Sequence, residues 1–388
     1  MSLSSISDPV RLGVVGLGRG FALSARAFAE SPHLRLVAAA DPLPGPRAAF
    51  VRAFGGRSYP DVAALAADPE VEAVYVATPH GLHRAHAETA FRAGKHVLVE
   101  KPIAVTLADA EAMVAAAAAM GVHLIVGPCH SFDAPVTLAA EVIAEGEIGV
   151  VRMVHALNCT DYLRRPRRPE ELDTTAGGGV VFGQAVHQVD VVRRLCGGRA
   201  TSVCAQVGAW DAVRPTEGAY AALLTFASGV FASLVYSGYG HFDSDIWQEG
   251  LTELGTPRGP RGPRHWADAA GEAAAQVARG FAGLDGLPGP VAHEHFGPVL
   301  VFGDRGDLRL TPRGVELWRD GAHRFLSAPV HRPRLEVAEA LHAALRRGHR
   351  PVQTGRWGLA TLEVCEAILA SARSGAPVTL HHQREVGG

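Results

Sequence analysis

A lysine, a histidine and a run of arginines are the residues in this sequence best suited to chemistry. Lys101 stands in Gly94-Lys95-His96-Val97-Leu98-Val99-Glu100-Lys101-Pro102. An apolar run that ends in an acid, a base and a proline is the pattern of an inner parallel strand whose C-terminal end opens on a cleft. Pro102 lacks an N–H and biases Lys101 toward an extended backbone. The same stretch also reads as a surface turn with a solvated lysine, because most lysines are exposed. His187 lies in segment 180–195, which reads as a helix behind Gly177-Gly178-Gly179. Gln184, His187 and Asp190 drift along one face of it. A histidine there can accept or donate a proton. A lone helical histidine is more commonly structural, but the triple glycine implies close backbone approach to something. Asp161-Tyr162-Leu163-Arg164-Arg165-Pro166-Arg167-Arg168-Pro169 is a basic loop that its prolines keep out of a long helix. Guanidinium groups pair bidentately with carboxylates, so Arg164, Arg165 and Arg168 are candidates to hold an anionic substrate; a solvated basic loop is the alternative. His241-Phe242-Asp243-Ser244-Asp245 reads as a polar pocket wall, with His241 and Asp243 toward substrate. It has no second ligand group, so no metal is assigned.

These side chains need elements to position them. Residues 10–16 read as a buried strand, 22–30 as a helix, and Gly16-Leu17-Gly18-Arg19-Gly20-Phe21 as the turn between. Glycines there let a pyrophosphate approach the positive end of the helix. The third glycine position of that fingerprint is Phe21, with Gly20 one place early. The next strand, 34–40, ends in Asp41, 23 residues after Gly18, near the position of the acid that binds the adenosine ribose. A carboxylate repels a 2′-phosphate, which favours NAD over NADP, although Arg47 is within reach. Strand 73–77 ends in Thr78-Pro79-His80, and helix 83–93 begins at His83. Strands separated by helices, each apolar throughout, specify a parallel sheet covered on both faces. The loops at Gly16–Gly20, Asp41, Thr78–His80 and Glu100–Pro102 then gather at one sheet edge. The cofactor set is therefore Gly16, Leu17, Gly18, Arg19, Gly20, Phe21, Asp41, Thr78, Pro79, His80, His83, Glu100 and Lys101. His80, His83 and His86 read as a cleft rim and a helix face.

With 388 residues, 47% hydrophobic and 20% charged, the chain is globular and long enough for two domains. A formal charge of −2 gives no reason to expect nucleic acid or an anionic membrane. Five scattered cysteines without a CxxC pair, no signal-like start and no membrane-length apolar run favour a cytoplasmic protein. The expected fold is α/β. A Rossmann domain over 1–129 precedes an α+β domain over 130–388 with a mainly antiparallel sheet. Strands are expected at 150–159, 201–209, 220–226, 230–236, 299–302, 306–310 and 315–318. Helices are expected at 134–146, 335–347 and 359–374, the last two as closing helices able to pack back on the first domain. Residues 257–264 read as a mobile loop.

Gly16-Leu17-Gly18, Ala77-Thr78-Pro79, Glu100-Lys101-Pro102 and Gly177-Gly178-Gly179 followed by His187 and Asp190 resemble, in this order, the Gfo/Idh/MocA oxidoreductase family. The resemblance implies NAD(P)-dependent hydride transfer, mostly on sugars and polyols, and an open C-terminal sheet used in a dimer or tetramer. It gives Lys101 the role of orienting the reacting hydroxyl and His187 that of accepting its proton. The family commonly has an acid four residues before that histidine, where this chain has Gly183. A narrower resemblance runs through 160–173, Val180-Val181-Phe182-Gly183-Gln184 and 237–245, to 4,5-dihydro-4,5-dihydroxyphthalate dehydrogenases. It implies oxidation of a carboxylated cis-dihydrodiol to a catechol with NAD. A sugar or inositol dehydrogenase and a non-catalytic NAD-binding regulator are the alternatives.

Overall fold

A computed structural model describes residues 8–260, 269–284 and 289–387. Residues 261–264, the end of the expected mobile loop, lie outside the described residues. Two sheets carry the structure. The first holds β1 (Val10–Val15), β2 (Leu34–Ala40), β3 (Arg57–Tyr59), β4 (Ala73–Val76), β5 (His96–Val99) and β6 (Leu124–Val126). They run parallel in the order β3-β2-β1-β4-β5-β6. Helices α1 (Arg19–Glu30), α2 (Pro44–Phe54), α3 (Val62–Ala66), α4 (His83–Arg92) and α5 (Leu107–Ala119) connect them. β4 and β5 are buried almost end to end, as strands covered on both faces must be. The strand order reverses between β1 and β4, so a crevice opens at their C-terminal ends.

The second half contains α6 (Ala134–Ala144), β7 (Val151–Cys159), α7 (Val186–Leu195), β8 (Ala200–Gly208), β9 (Ala219–Phe226), β10 (Phe231–Ser237) and α8 (Ala269–Val277). Then follow β11 (Val299–Gly303), β12 (Asp307–Thr311), β13 (Gly314–Arg319), β14 (Ala322–Ser327), α9 (Leu335–Arg347), α10 (Gly355–Ser374) and β15 (Val378–Thr379). Nine strands form one sheet in the order β14-β13-β12-β11-β7-β10-β9-β8-β15, antiparallel except for the β7–β10 pair. Helices α6, α7 and α10 cover one face. Alternation on β10 puts Ala232, Leu234 and Tyr236 in the core and leaves Phe231 and Val235 exposed.

The structure departs from the sequence expectations at particular places. Strands β3, β14 and β15 and helix α8 were not expected. β14 is exposed along nearly its whole length, so it has no apolar alternation to read. The segment expected as one helix over 180–195 begins as a π-helical turn, Val181–Ala185, and only then becomes α7. Helix α9 packs on the first sheet: Val337, Ala338 and Leu341 share a core with Val10, Leu12 and Phe28. Asp190 is a buried fastener. Its Oδ1 accepts from the Trp357 indole N–H at 2.5 Å and its Oδ2 from the Ser131 amide at 3.1 Å. Three residues later in α7, Arg193 is fully buried, with its guanidinium 3.8 Å from the centre of the Trp357 ring. Among the described residues no helix is long and apolar enough to cross a membrane.

Asp190→Ala strands the Ser131 and Trp357 donors in a dry environment. It is expected to destabilise the protein by roughly 1–3 kcal/mol per donor, read as a lowered Tm in thermal unfolding; an unchanged Tm would remove Asp190 from this role.

Candidate active site

A cavity of about 1010 Å³ lies where the first sheet's crevice meets the second domain. On the first-domain side, Gly16 has φ +89, and a Cβ there would sit 2.8 Å from the Ala77 carbonyl. Gly18 is the N-cap of α1, has no side chain, and would face open space with one. The first amides of α1 therefore have no capping side chain between them and the cavity. Phe21 is fully buried and packs on Phe50, Phe54 and Phe281; Leu17 is buried as well. Neither lines the cavity, but Leu17 donates its amide to Asp41 Oδ2 at 2.9 Å. Gly20 serves the close approach that the fingerprint's third glycine usually gives: a Cβ on it would meet Glu100 Oε1 at 3.2 Å. Asp41 lines the cavity, with its Oδ1 accepting from the Leu43 amide at 2.9 Å. Arg47 binds the Asp41 and Pro42 carbonyls at 2.6 and 3.1 Å. A cradle without side chains, an uncapped helix start and a carboxylate at the next strand end together fit NAD.

Thr78, Pro79, His80 and Glu100 also line the cavity. Glu100 bonds the Tyr75 hydroxyl at 2.5 Å. Burial raises its pKa, and the Arg334 guanidinium acts against that. His80 is pushed down to about 3 by burial and by the nearby His83 and Lys101. His83 lies outside the cavity: it is buried, with ring nitrogens 3.0 Å from the Pro102 and Thr78 carbonyls, and so braces the two loops.

Lys101 and His187 are brought to one cavity from different domains. Lys101 Nζ donates to the Gly183 carbonyl at 3.0 Å. The same carbonyl accepts from Gln184 Nε2 at 2.9 Å, and Gln184 Oε1 accepts from the Tyr236 hydroxyl at 3.0 Å. Burial lowers the Lys101 pKa against the pull of Glu100. The His187 ring lies 4.6 Å from that of His130 and 4.9 Å from that of Phe296. Burial, then Lys101, His130 and Arg334, holds its pKa well below the usual range. It is therefore neutral at pH 7, and its buried Nδ1 has no hydrogen-bond partner. His130 is opposite in character: burial acts against its charge, but Asp133, 2.7 Å from its Nδ1, raises its pKa.

Position 183 explains the missing acid. A Cβ on Gly183 would lie 2.3 Å from the Tyr162 hydroxyl oxygen. Tyr162 thus fills the space that a side chain at 183 would enter, and it lines the cavity.

The basic loop is divided. Arg165 and Arg168 line the cavity, whereas Arg164 does not and pairs with Asp211 at 2.7 Å. Arg165 bridges Asp161 and Glu253 at 2.9 and 3.2 Å. Arg168 pairs with Glu170 and Glu171 at 3.1 and 3.4 Å. Arg167, not singled out from sequence, also lines the cavity with its guanidinium 3.5 Å from the centre of the Tyr162 ring. Arg19 and Arg279 complete this wall. Burial and the surrounding arginines push Arg19 down to about 9 and Arg279 to about 10. Among the described residues neither makes an ion pair with a carboxylate. His241 is exposed and outside the cavity. Asp243 is buried, and Arg258 joins it to Asp245, at 2.7 Å from the latter; Asp245 and Arg258, not Asp243, reach the cavity.

Sequence reasoning passed over Tyr162, His130, Arg279 and Arg334. Tyr162 is the one aromatic in the basic loop, and His130 follows β6 at a strand end, so both carried a signal. Arg279 and Arg334 carried none, because only long-range packing brings them here.

Residues 10–128 match the Gfo/Idh/MocA oxidoreductase family model with its NAD-binding Rossmann fold, and residues 136–251 match the Gfo/Idh/MocA C-terminal domain. The 1-carboxy-3-chloro-3,4-dihydroxycyclohexa-1,5-diene dehydrogenase of Comamonas testosteroni is 41% identical over 379 residues, covering 94% of this chain and 95% of that one. The inositol 2-dehydrogenase of Rhizobium meliloti is 31% identical over 196 residues, 50% of this chain and 58% of that one. A crystal structure of a putative dehydrogenase from Bordetella bronchiseptica RB50 superposes with a TM-score of 0.90 at 36% identity, covering 96% of this chain and 100% of that one.

His295, beside Phe296, makes the site's framework pH-sensitive. Its Nε2 donates to the Leu251 carbonyl and its Nδ1 accepts from the Gly297 amide, both at 3.1 Å. Burial then holds its pKa at about 4, below the unfolded value of about 6.5. The unfolded chain therefore binds a proton that the folded one refuses, and stability falls as pH drops from about 6.5 toward 4. The slope is up to about 1.4 kcal/mol per pH unit. Thermal melts across this range are expected to show a shallower fall for His295→Gln than for the wild type; parallel curves would exclude His295 as the source.

Proposed function

The chain belongs to the Gfo/Idh/MocA oxidoreductase family and is an NAD-dependent dehydrogenase; we propose that its substrate is a cyclic cis-dihydrodiol carrying a carboxylate, oxidised toward a catechol. One observation carries the reading. Among the described residues Arg19 and Arg279 make no ion pair with a carboxylate, and they crowd with Arg165 and Arg167 on the wall of the cavity that holds Lys101 and His187. Like charges gathered in a half-buried wall are costly unless an anion answers them. The dinucleotide's pyrophosphate answers those near α1, and a substrate carboxylate answers the rest. The Comamonas testosteroni relative is named for a carboxylated dihydroxycyclohexadiene, which is consistent with this assignment.

Bound NAD supplies the hydride acceptor. Lys101 exchanges its bond to the Gly183 carbonyl for one to the reacting hydroxyl oxygen and stabilises the alkoxide as it forms. His187, neutral and with Nδ1 unpartnered, takes the hydroxyl proton. Tyr162 fills the space that a side chain at 183 would take and lines the same cavity. Loss of hydride from carbon and a proton from oxygen leaves a cyclic enone, and its enolisation to an aromatic ring draws the reaction forward. The uncovered face of the large sheet, with Leu223, Phe231 and Val235 exposed, suits pairing of subunits.

Lys101→Ala is expected to lower kcat by about 10²–10⁴-fold with NAD affinity, measured by fluorescence titration, near that of the wild type. Tyr162→Phe should lower kcat less, with KM little changed. Near-full turnover in Lys101→Ala would sink the mechanism. A substrate panel tests the carboxylate. Loss of a charge-assisted hydrogen bond, about 1.5–3 kcal/mol, should raise KM of Arg279→Ala for a carboxylated dihydrodiol roughly tenfold or more and leave uncharged diols unaffected. Efficient turnover of carboxylate-free polyols, insensitive to Arg279, would instead favour a sugar or inositol substrate.

A further inference from the structure

A second group of ligating side chains lies outside the cavity. His293 precedes β11, His331 follows β14, and Glu336 is in the first turn of α9. One ring nitrogen of each histidine and one carboxylate oxygen lie within 4.8 Å of one another. His293 Nδ1 is 4.0 Å and His331 Nε2 is 3.7 Å from Glu336 Oε1.

The opposite ring nitrogens fix the tautomers. His293 Nε2 is 2.8 Å from the Pro329 carbonyl and His331 Nδ1 is 3.1 Å from the Arg332 carbonyl. A carbonyl only accepts, so each of these nitrogens carries the proton. The nitrogens turned toward Glu336 then present lone pairs. When Glu336 is ionised, three acceptors face one another with no donor among them, an arrangement that only its own proton or a cation relieves. His293 is 5% exposed, and its Nδ1 and both Glu336 oxygens are buried without a hydrogen-bond partner. The amides of Ala134 and Glu336 lie near the carboxylate but do not make hydrogen bonds of good geometry with it.

The neighbouring charges point the same way. Burial, and then Asp133 and Glu294, push the Glu336 pKa up to about 8; the negative field of those two carboxylates favours a cation beside it. The nearby arginines are committed elsewhere, Arg334 to Glu294 and Ser24 and Arg332 to Glu30.

We propose that His293, His331 and Glu336 form a binding site for a divalent first-row transition-metal ion of the zinc type. Two imidazoles and one carboxylate suit such an ion and not calcium or magnesium, which take oxygen ligands. Ring N–H groups held by backbone carbonyls are the outer support that metal-bound histidines have. Tetrahedral spacing at zinc needs ligand atoms about 3.4 Å apart, so both histidines would move closer to Glu336 Oε1 than their present 4.0 and 3.7 Å. The ion would fasten the lead-in to β11, the turn after β14 and the start of α9 together, behind the Arg334–Glu294 pair. The cluster His130, Asp133 and Glu294 differs, because its groups are already paired with one another or with Arg334.

The test uses the full chain, stripped with a chelator and titrated with zinc chloride by calorimetry, with thermal melts in parallel. One ion per chain and a raised Tm are expected. His331→Ala removes a partly exposed ring, so the fold survives it. Binding should weaken by at least about tenfold and the Tm gain should disappear. Glu336→Gln should do the same, while His130→Ala keeps both. The proposal is overturned if the folded wild type takes up no zinc at micromolar concentration. It is equally overturned if His331→Ala binds as the wild type does, or if His130→Ala abolishes uptake.

Discussion

The bond from Lys101 Nζ to the Gly183 carbonyl spans 82 residues of chain and joins the two halves of the large cavity. It is possible because the backbone at 181–185 is wound as a π-helical turn. Such turns widen the helix and turn a carbonyl away from its usual partner. Gln184 shares that carbonyl and is itself held by Tyr236 from β10. The ammonium is thus fixed by groups from β5, the turn before α7 and the large sheet. Removed from water, it also has a lowered pKa, so the constraint that places it also tunes it.

Gly183 follows from the same geometry. The Tyr162 hydroxyl occupies the volume into which a side chain at 183 would grow, so a glycine at this position is required by packing. Tyr162 is fixed in turn by Arg167, which lies over its ring and donates to its carbonyl. The basic loop therefore has two duties. Arg164 and Arg167 hold the loop's shape through Asp211 and Tyr162, while Arg165, Arg168 and Arg167 itself line the cavity. Arg19 and Arg279 supply the cationic density from outside the loop.

The sequence was most legible where physics is local. The β1 strand, glycine turn and α1 helix, the acid closing β2, and the charged tip of β5 each follow from runs of a few residues. Apolar periodicity and glycine stereochemistry act over that range. Lys101 and His187 were legible as types in suitable settings. Phe21 was readable as a departure from the glycine fingerprint, but its reason was not: the aromatic cluster with Phe281 joins residues 260 positions apart. β14 escaped notice because an exposed edge strand has no buried face to impose a pattern.

By itself the sequence determined the order of most elements, the parallel first sheet with its crevice, and the residue types able to bind a dinucleotide and move a proton. Those are consequences of short-range sterics and of burying apolar strands. The tertiary structure alone decided which charges converge. It turned Arg164 away and brought Arg279 and Arg334 in, set Tyr162 in place of an acid, made Asp190 a fastener, and aimed His293 and His331 at one carboxylate. Such choices depend on packing between segments far apart in the chain, where burial and pairing energies are fixed by neighbours that no local pattern encodes.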